Sequence, residues 1–140
     1  MRSERRILIV DDDDAIRALL FTVLRRRGLH PETARNGIEA LEKLAERSYA
    51  LILLDLMMPE MNGYELLDHL QGHPTARPLV IVLTAGGEPR PTDTNLAIAT
   101  LHKPFDVELL IDTILACLNT LDSPVPPALS AAAVKPEKVN

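Results

Sequence analysis

"LILLDLMMPEMNG", Leu51 to Gly63, opens as an apolar run and closes on a turn bearing Pro59 and Gly63, with Asp55 at the junction. Residues that are apolar on both faces suit a strand in the interior of a parallel sheet covered on each side by helices. A carboxylate at the mouth of such a strand is costly unless something pairs with it. Asp55 therefore needs an explanation that composition alone does not supply.

Outward from this stretch, short apolar runs alternate with amphipathic ones. Arg6 to Val10 (RILIV) and Leu79 to Thr84 (LVIVLT) are two further apolar strands, and Tyr49 to Leu54 is the strand that leads into Asp55. His30 to Ala34 is a weaker strand suited to a sheet edge, and Ile98 to His102 is a last short one. Between them, Ile16, Leu19, Leu20, Val23 and Leu24 recur at helical spacing over Asp14 to Arg27, with Gly28 as the stop signal. Gly37 to Arg47 reads as a helix with Glu39 and Lys43 as an i,i+4 pair. Tyr64 to Gln71 and Val107 to Leu121 complete the set. Alternating strands and helices of this kind make a doubly wound α/β domain of about five parallel strands. Residues 122–140 are rich in Pro, Ala and Ser without an apolar period, which predicts a disordered tail or linker stub after a domain at residues 1–121.

The 140 residues suffice for one domain with a hydrophobic core, and 46% apolar content supports one. A net charge of -5 gives no basic field for nucleic acid. No apolar run approaches the roughly 18 residues of a membrane span, so a cytoplasmic protein is expected. The one cysteine, Cys117, falls on the apolar face of a helix and reads as a packed thiol. His30, His69, His73 and His102 lack ligand spacing, and Met57, Met58 and Met61 are expected to pack the loop over the following helix.

In open α/β sheets, sites form beyond the carboxyl ends of the strands. The residues leaving the strands here are Asp11 and Asp12, with Asp13 and Asp14 behind them, then Asp55, Thr84, and Lys103 followed by Pro104. Taken singly these are ordinary: Asp14, for example, suits a helix N-cap. Together they assemble a chemistry. Clustered carboxylates with open water positions suit Mg²⁺, a carboxylate held between a metal and an ammonium can attack phosphorus, and a hydroxyl and a lysine can stabilise the transferring group.

In ILIVDDD, LILLDLMMPEMNG, VLTA and HKPF, in that order, the sequence resembles the receiver domains of two-component response regulators over about Arg6 to Leu121. The resemblance implies a flavodoxin-like sheet of order 2-1-3-4-5. It implies Asp55 as phospho-acceptor, with Mg²⁺ held by Asp11, Asp12, Asp55 and the backbone carbonyl of Met57. It further implies Thr84 and Lys103 as partners of the phosphoryl group. The phosphoryl donor would be a sensor histidine kinase or a histidine phosphotransfer protein, and the signal would pass to a downstream protein target. Such a domain phosphorylates and dephosphorylates itself without being a dedicated enzyme.

Two rival readings exist. A haloacid-dehalogenase-like phosphatase matches Asp11-x-Asp13, but it expects Thr or Val where Ala15 stands and leaves Asp55 unexplained. A degenerate receiver acting as a constitutive binding module is countered by the intact set of five site positions. Output is where the sequence departs from the family. The usual aromatic switch residue three before Lys103 is Thr100, and GGEPRP resists helix in the segment Gly86–Asn95. The helix between the fourth and fifth strands is therefore expected to be short or irregular, and the usual symmetric dimer through that face weak or absent.

Overall fold

The computed structural model describes residues 6–58, 63–71, 78–85 and 97–122. Five parallel strands, β1 (Arg6–Val10), β2 (His30–Ala34), β3 (Leu51–Asp55), β4 (Leu79–Thr84) and β5 (Ala97–His102), form one sheet of order β2-β1-β3-β4-β5. Four helices accompany them among the described residues: α1 (Asp14–Arg26), α2 (Gly37–Glu46), α3 (Gly63–Gln71) and α4 (Val107–Asp122). This is the doubly wound, flavodoxin-like order expected from the sequence.

Strand alternation divides the interior into two cores. Leu8, Val10, Ile52, Leu54, Val80 and Val82 face one side and pack with α2 and α3 residues such as Ala40, Leu66 and Leu67. Ile7, Ile9, Leu51, Leu53, Ile81 and Leu83 face the other and pack with Leu20 and Leu24 of α1 and Leu110, Ile111, Ile114 and Leu118 of α4. Because the strands are apolar on both faces, shifting one by a single residue exchanges one apolar set for another. The register must therefore be held by the polar residues at the strand ends as well. Cys117 packs at the margin of the second core, and burial pushes its thiol up.

Several element ends differ from expectation, each for a local reason. Asp13, not Asp14, caps α1: its Oδ1 accepts from the amides of Ala15 and Ile16 at 2.9 and 3.1 Å. Asp14 is the first helical residue. Arg27 and Arg47 end their helices as caps, and Gly28 takes φ +82°, a conformation that L side chains rarely adopt. Glu39 is held mainly by Arg35, taking its guanidinium at 2.9 and 3.0 Å and its amide at 2.9 Å, with the Lys43 charge as a weaker influence. The third strand begins at Leu51, because Tyr49 belongs to a polar cluster instead. Its hydroxyl donates to Glu32 at 2.6 Å, while Arg47 holds the other carboxylate oxygen at 2.9 Å. Strand β2, with Pro31 inside it, stands at the sheet edge, where a missing amide is tolerated.

The expected short helix between β4 and β5 falls on residues 86–96, outside the described residues; of the tail expected at residues 122–140, Asp122 is instead the last residue of α4, and the rest lies outside the described residues. Among the described residues, no helix is long and apolar enough to cross a membrane.

Candidate functional site

The central strands β1, β3 and β4 deliver Asp11, Asp55 and Thr84 to one end of the sheet, where 0%, 3% and 3% of each residue is exposed. Among the described residues these are the buried polar ones in an otherwise apolar interior, so each must be held by partners. Asp11 Oδ1 accepts from the Asp13 amide at 2.8 Å, and its Oδ2 accepts from Lys103 Nζ at 2.8 Å. Asp55 Oδ1 accepts from the Met57 amide at 3.0 Å, and its Oδ2 from Lys103 Nζ at 3.2 Å. One ammonium thus bridges two buried carboxylates.

Backbone pairing sets these distances. Asp55 is in register with Leu83, which puts Thr84 one step further along the neighbouring strand. Thr84 is in register with His102, and the amide of Lys103 donates to the Thr84 carbonyl at 2.7 Å. This backbone bond aims the lysine back over the strand ends. The Lys103–Pro104 peptide is cis.

The charges do not balance. Burial pushes the Asp55 carboxyl up to about 6; the Asp11 charge adds to this, while the Met57 amide and Lys103 only partly oppose it. Burial alone would lower Lys103, but the hydrogen bond and charge of Asp11, then those of Asp55, outweigh it and hold the ammonium above its ordinary value. Asp12, exposed to solvent, brings a third carboxylate: Asp11, Asp12 and Asp55 each offer an oxygen within 4.8 Å of the others. A cluster of hard oxygen donors carrying more negative charge than one lysine neutralises is suited to a small divalent cation.

Not every residue singled out from the sequence joins this group. Thr100 is half-buried in the middle of β5, in register with Val82 and on the same face of the sheet as Thr84, but one pleat away from the site. Met58 packs into the core against α3, as expected of the methionines. Met57 does not: it is 60% exposed at the rim, and Met61 lies outside the described residues. Asp13, the second acid of the Asp11-x-Asp13 pattern, is engaged as a helix cap, which leaves that phosphatase-like pair without a free second carboxylate. The sequence reading missed Arg17. Its guanidinium donates to the Asp11 carbonyl at 2.8 Å and pairs with Asp14. An arginine one helical turn after an acidic run was the available signal.

Known proteins resemble this chain in sequence and fold. The response regulator receiver domain profile matches residues 7–115. The transcriptional regulatory protein CpxR homolog of Haemophilus influenzae is 43% identical over 122 residues, covering 85% of this chain and 52% of that protein. The chain thus spans about half the length of this curated relative. Among solved structures, response regulator TrrA from Thermotoga maritima, in complex with Mg²⁺-BeF, is 32% identical with a TM-score of 0.73, over 81% of this chain and 98% of that one. The Francisella response regulator 1452 receiver domain is 27% identical with a TM-score of 0.76, over 84% and 98%.

Proposed function

The chain belongs to the response regulator receiver domain family, and on that premise we propose that Asp55 accepts a phosphoryl group from the phosphohistidine of a sensor histidine kinase or a histidine phosphotransfer protein. The observation that carries this reading is the bridge from Lys103 to both Asp11 and Asp55 beside a third carboxylate. An Asp55 oxygen attacks phosphorus, the phosphorus–nitrogen bond breaks, and the imidazole leaves with the bonding pair, giving an acyl phosphate on Asp55.

The residues divide the work. The Met57 amide, on Asp55 Oδ1, fixes the plane of the carboxylate. Burial and the Asp11 charge raise the energy of the ionised carboxylate, and the acyl phosphate brings still more negative charge, which the surrounding cations must neutralise. Lys103 neutralises charge on the phosphoryl oxygens, and the Thr84 hydroxyl, at the end of the adjoining strand, donates to one of them. Asp11, Asp12, Asp55 and the Met57 carbonyl would hold Mg²⁺, which supplies electrostatic stabilisation to the transferring group.

Movement of Thr84 toward the phosphoryl group carries the change to a protein target, with Thr100, one pleat back on β5, standing in place of the usual aromatic ring. The usual symmetric dimer makes little contribution in this account. The receiver corresponds to residues 1–122, one residue past the expected end because α4 runs to Asp122, and acts in the cytoplasm as a signalling domain rather than a dedicated enzyme, with residues 123–140 as a tail or linker. Mapping the phosphorylated residue by mass spectrometry after treatment with acetyl phosphate and Mg²⁺ tests this: modification on Asp55 is expected, and modification only at another residue overturns it.

A further inference from the structure

Four aspartates follow β1 in sequence, Asp11 to Asp14, and like charges so close repel. The structure gives three of them separate partners. Asp11 takes the Asp13 amide and Lys103, Asp13 takes the amides of Ala15 and Ile16, and Asp14 takes Arg17. Asp12 remains exposed, with its carboxylate near those of Asp11 and Asp55.

Arg17 closes this turn. Its side chain is 14% exposed, and from the end of the first turn of α1 it reaches back to the Asp11 carbonyl with Nη1, at 2.8 Å, and to the Asp14 carboxylate with Nη2. One planar fork therefore joins the last residue leaving β1 to the first residue of α1. Asp12 lies on the short span between the two joined points. A lysine has a single ammonium and cannot reproduce both bonds in this geometry.

We propose that Arg17 is a positioning residue for the divalent cation: it holds the turn that presents Asp12 alongside Asp11 and Asp55. This rests on the cation reading given under Proposed function. The sign of its effect separates it from simple electrostatics. By charge alone, a guanidinium beside the site repels a divalent cation, so removing it should tighten binding. By position, removing it should weaken binding, as loss of groups that orient metal ligands does.

Calorimetric titration of the full chain with Mg²⁺ tests the proposal. Arg17→Ala is expected to weaken affinity about tenfold, and unchanged or tighter binding overturns the proposal. Should Arg17→Ala fail to fold, Arg17→Lys decides: charge is conserved, so a loss of about threefold or more follows from position, while wild-type affinity overturns the idea. Amide exchange gives a readout independent of the metal. Exchange at Asp13, Ala15 and Ile16 should quicken in the variant, and unchanged exchange there contradicts the clamp. If the wild-type chain binds no Mg²⁺, the cation reading itself fails, and the amide data alone then judge whether Arg17 holds the turn.

Discussion

Lys103 stands closer to Asp11 than to Asp55: Nζ to Oδ2 is 2.8 Å in the first case and 3.2 Å in the second. The contact to Asp11 joins residues 92 apart in sequence and ties the end of β1 to the turn after β5. The ammonium is anchored on the fully buried acid and leans on the acceptor, which leaves it able to turn toward added charge on Asp55.

Removing that ammonium should raise the proton affinity of the acceptor further. In Lys103→Met, burial and the Asp11 charge act on Asp55 without the opposing cation. The Asp55 carboxyl should then titrate above its value of about 6, as read from its carboxyl carbon by NMR. The variant should also lose about 3 kcal/mol of stability, because two buried carboxylates lose their counter-charge. An Asp55 that titrates at or below the wild-type value would contradict this electrostatic account.

The raised Asp55 pKa also sets a stability-pH relationship with a definite sign. The folded value, about 6, lies above the ordinary carboxylate value of 3.8, so the folded state holds the proton more tightly than the unfolded one. Stability should therefore fall as pH rises from about 4 through about 6 and level off above that. Glu32 works in the opposite direction. Although burial raises it, the Tyr49 hydrogen bond and Arg47 bring it below its usual value, so its contribution is lost on acidification. The difference between wild type and Asp55→Asn isolates the Asp55 contribution. Urea denaturation across this range should show Asp55→Asn gaining relative stability as pH rises, and a flat difference would contradict it.

Most of the fold is legible in the sequence because the sheet is buried on both faces. RILIV, LILLD and LVIVLT need no alternation to be read, and a parallel order follows from the helices between them. The element ends are less legible, since capping is a contest between neighbours of similar chemistry. Asp13 and Asp14 are both good caps, and only backbone geometry selects Asp13. Tyr49 shows the same limit, because its pairing with Glu32 comes from a different strand and cannot be read locally. At the site, Asp11, Asp12, Asp55, Thr84 and Lys103 were visible from their places at strand ends. Arg17 was not, because an arginine on an amphipathic helix ordinarily faces solvent.

The Glu32 cluster makes a structural prediction separate from the site. Tyr49→Phe removes the 2.6 Å bond to Glu32 and leaves that carboxylate oxygen short of a partner between β2 and the start of β3. A loss of about 1–2 kcal/mol is expected in urea denaturation, with phosphoryl acceptance unchanged. Loss of acceptance at intact stability would show that this cluster is coupled to the site.

The lifetime of the acyl phosphate should depend on Met57. Hydrolysis needs a water placed in line with the phosphorus–oxygen bond. Met57 is exposed at the rim, and its thioether is a poor hydrogen-bonding group for that water. Slow self-dephosphorylation is therefore expected, with Met57→Asn faster by about threefold or more through a better-held water. Equal rates of label loss in the two proteins would remove Met57 from this role.

The most direct test of the account is phosphoryl incorporation from labelled acetyl phosphate, followed in wild type and Asp55→Asn, with Mg²⁺ or with a chelator. Label should enter the wild-type chain only with Mg²⁺ and should be absent from Asp55→Asn under both conditions. Incorporation at the wild-type level in Asp55→Asn, or equal incorporation without a divalent cation, would contradict the assignment of Asp55 and its acidic neighbours.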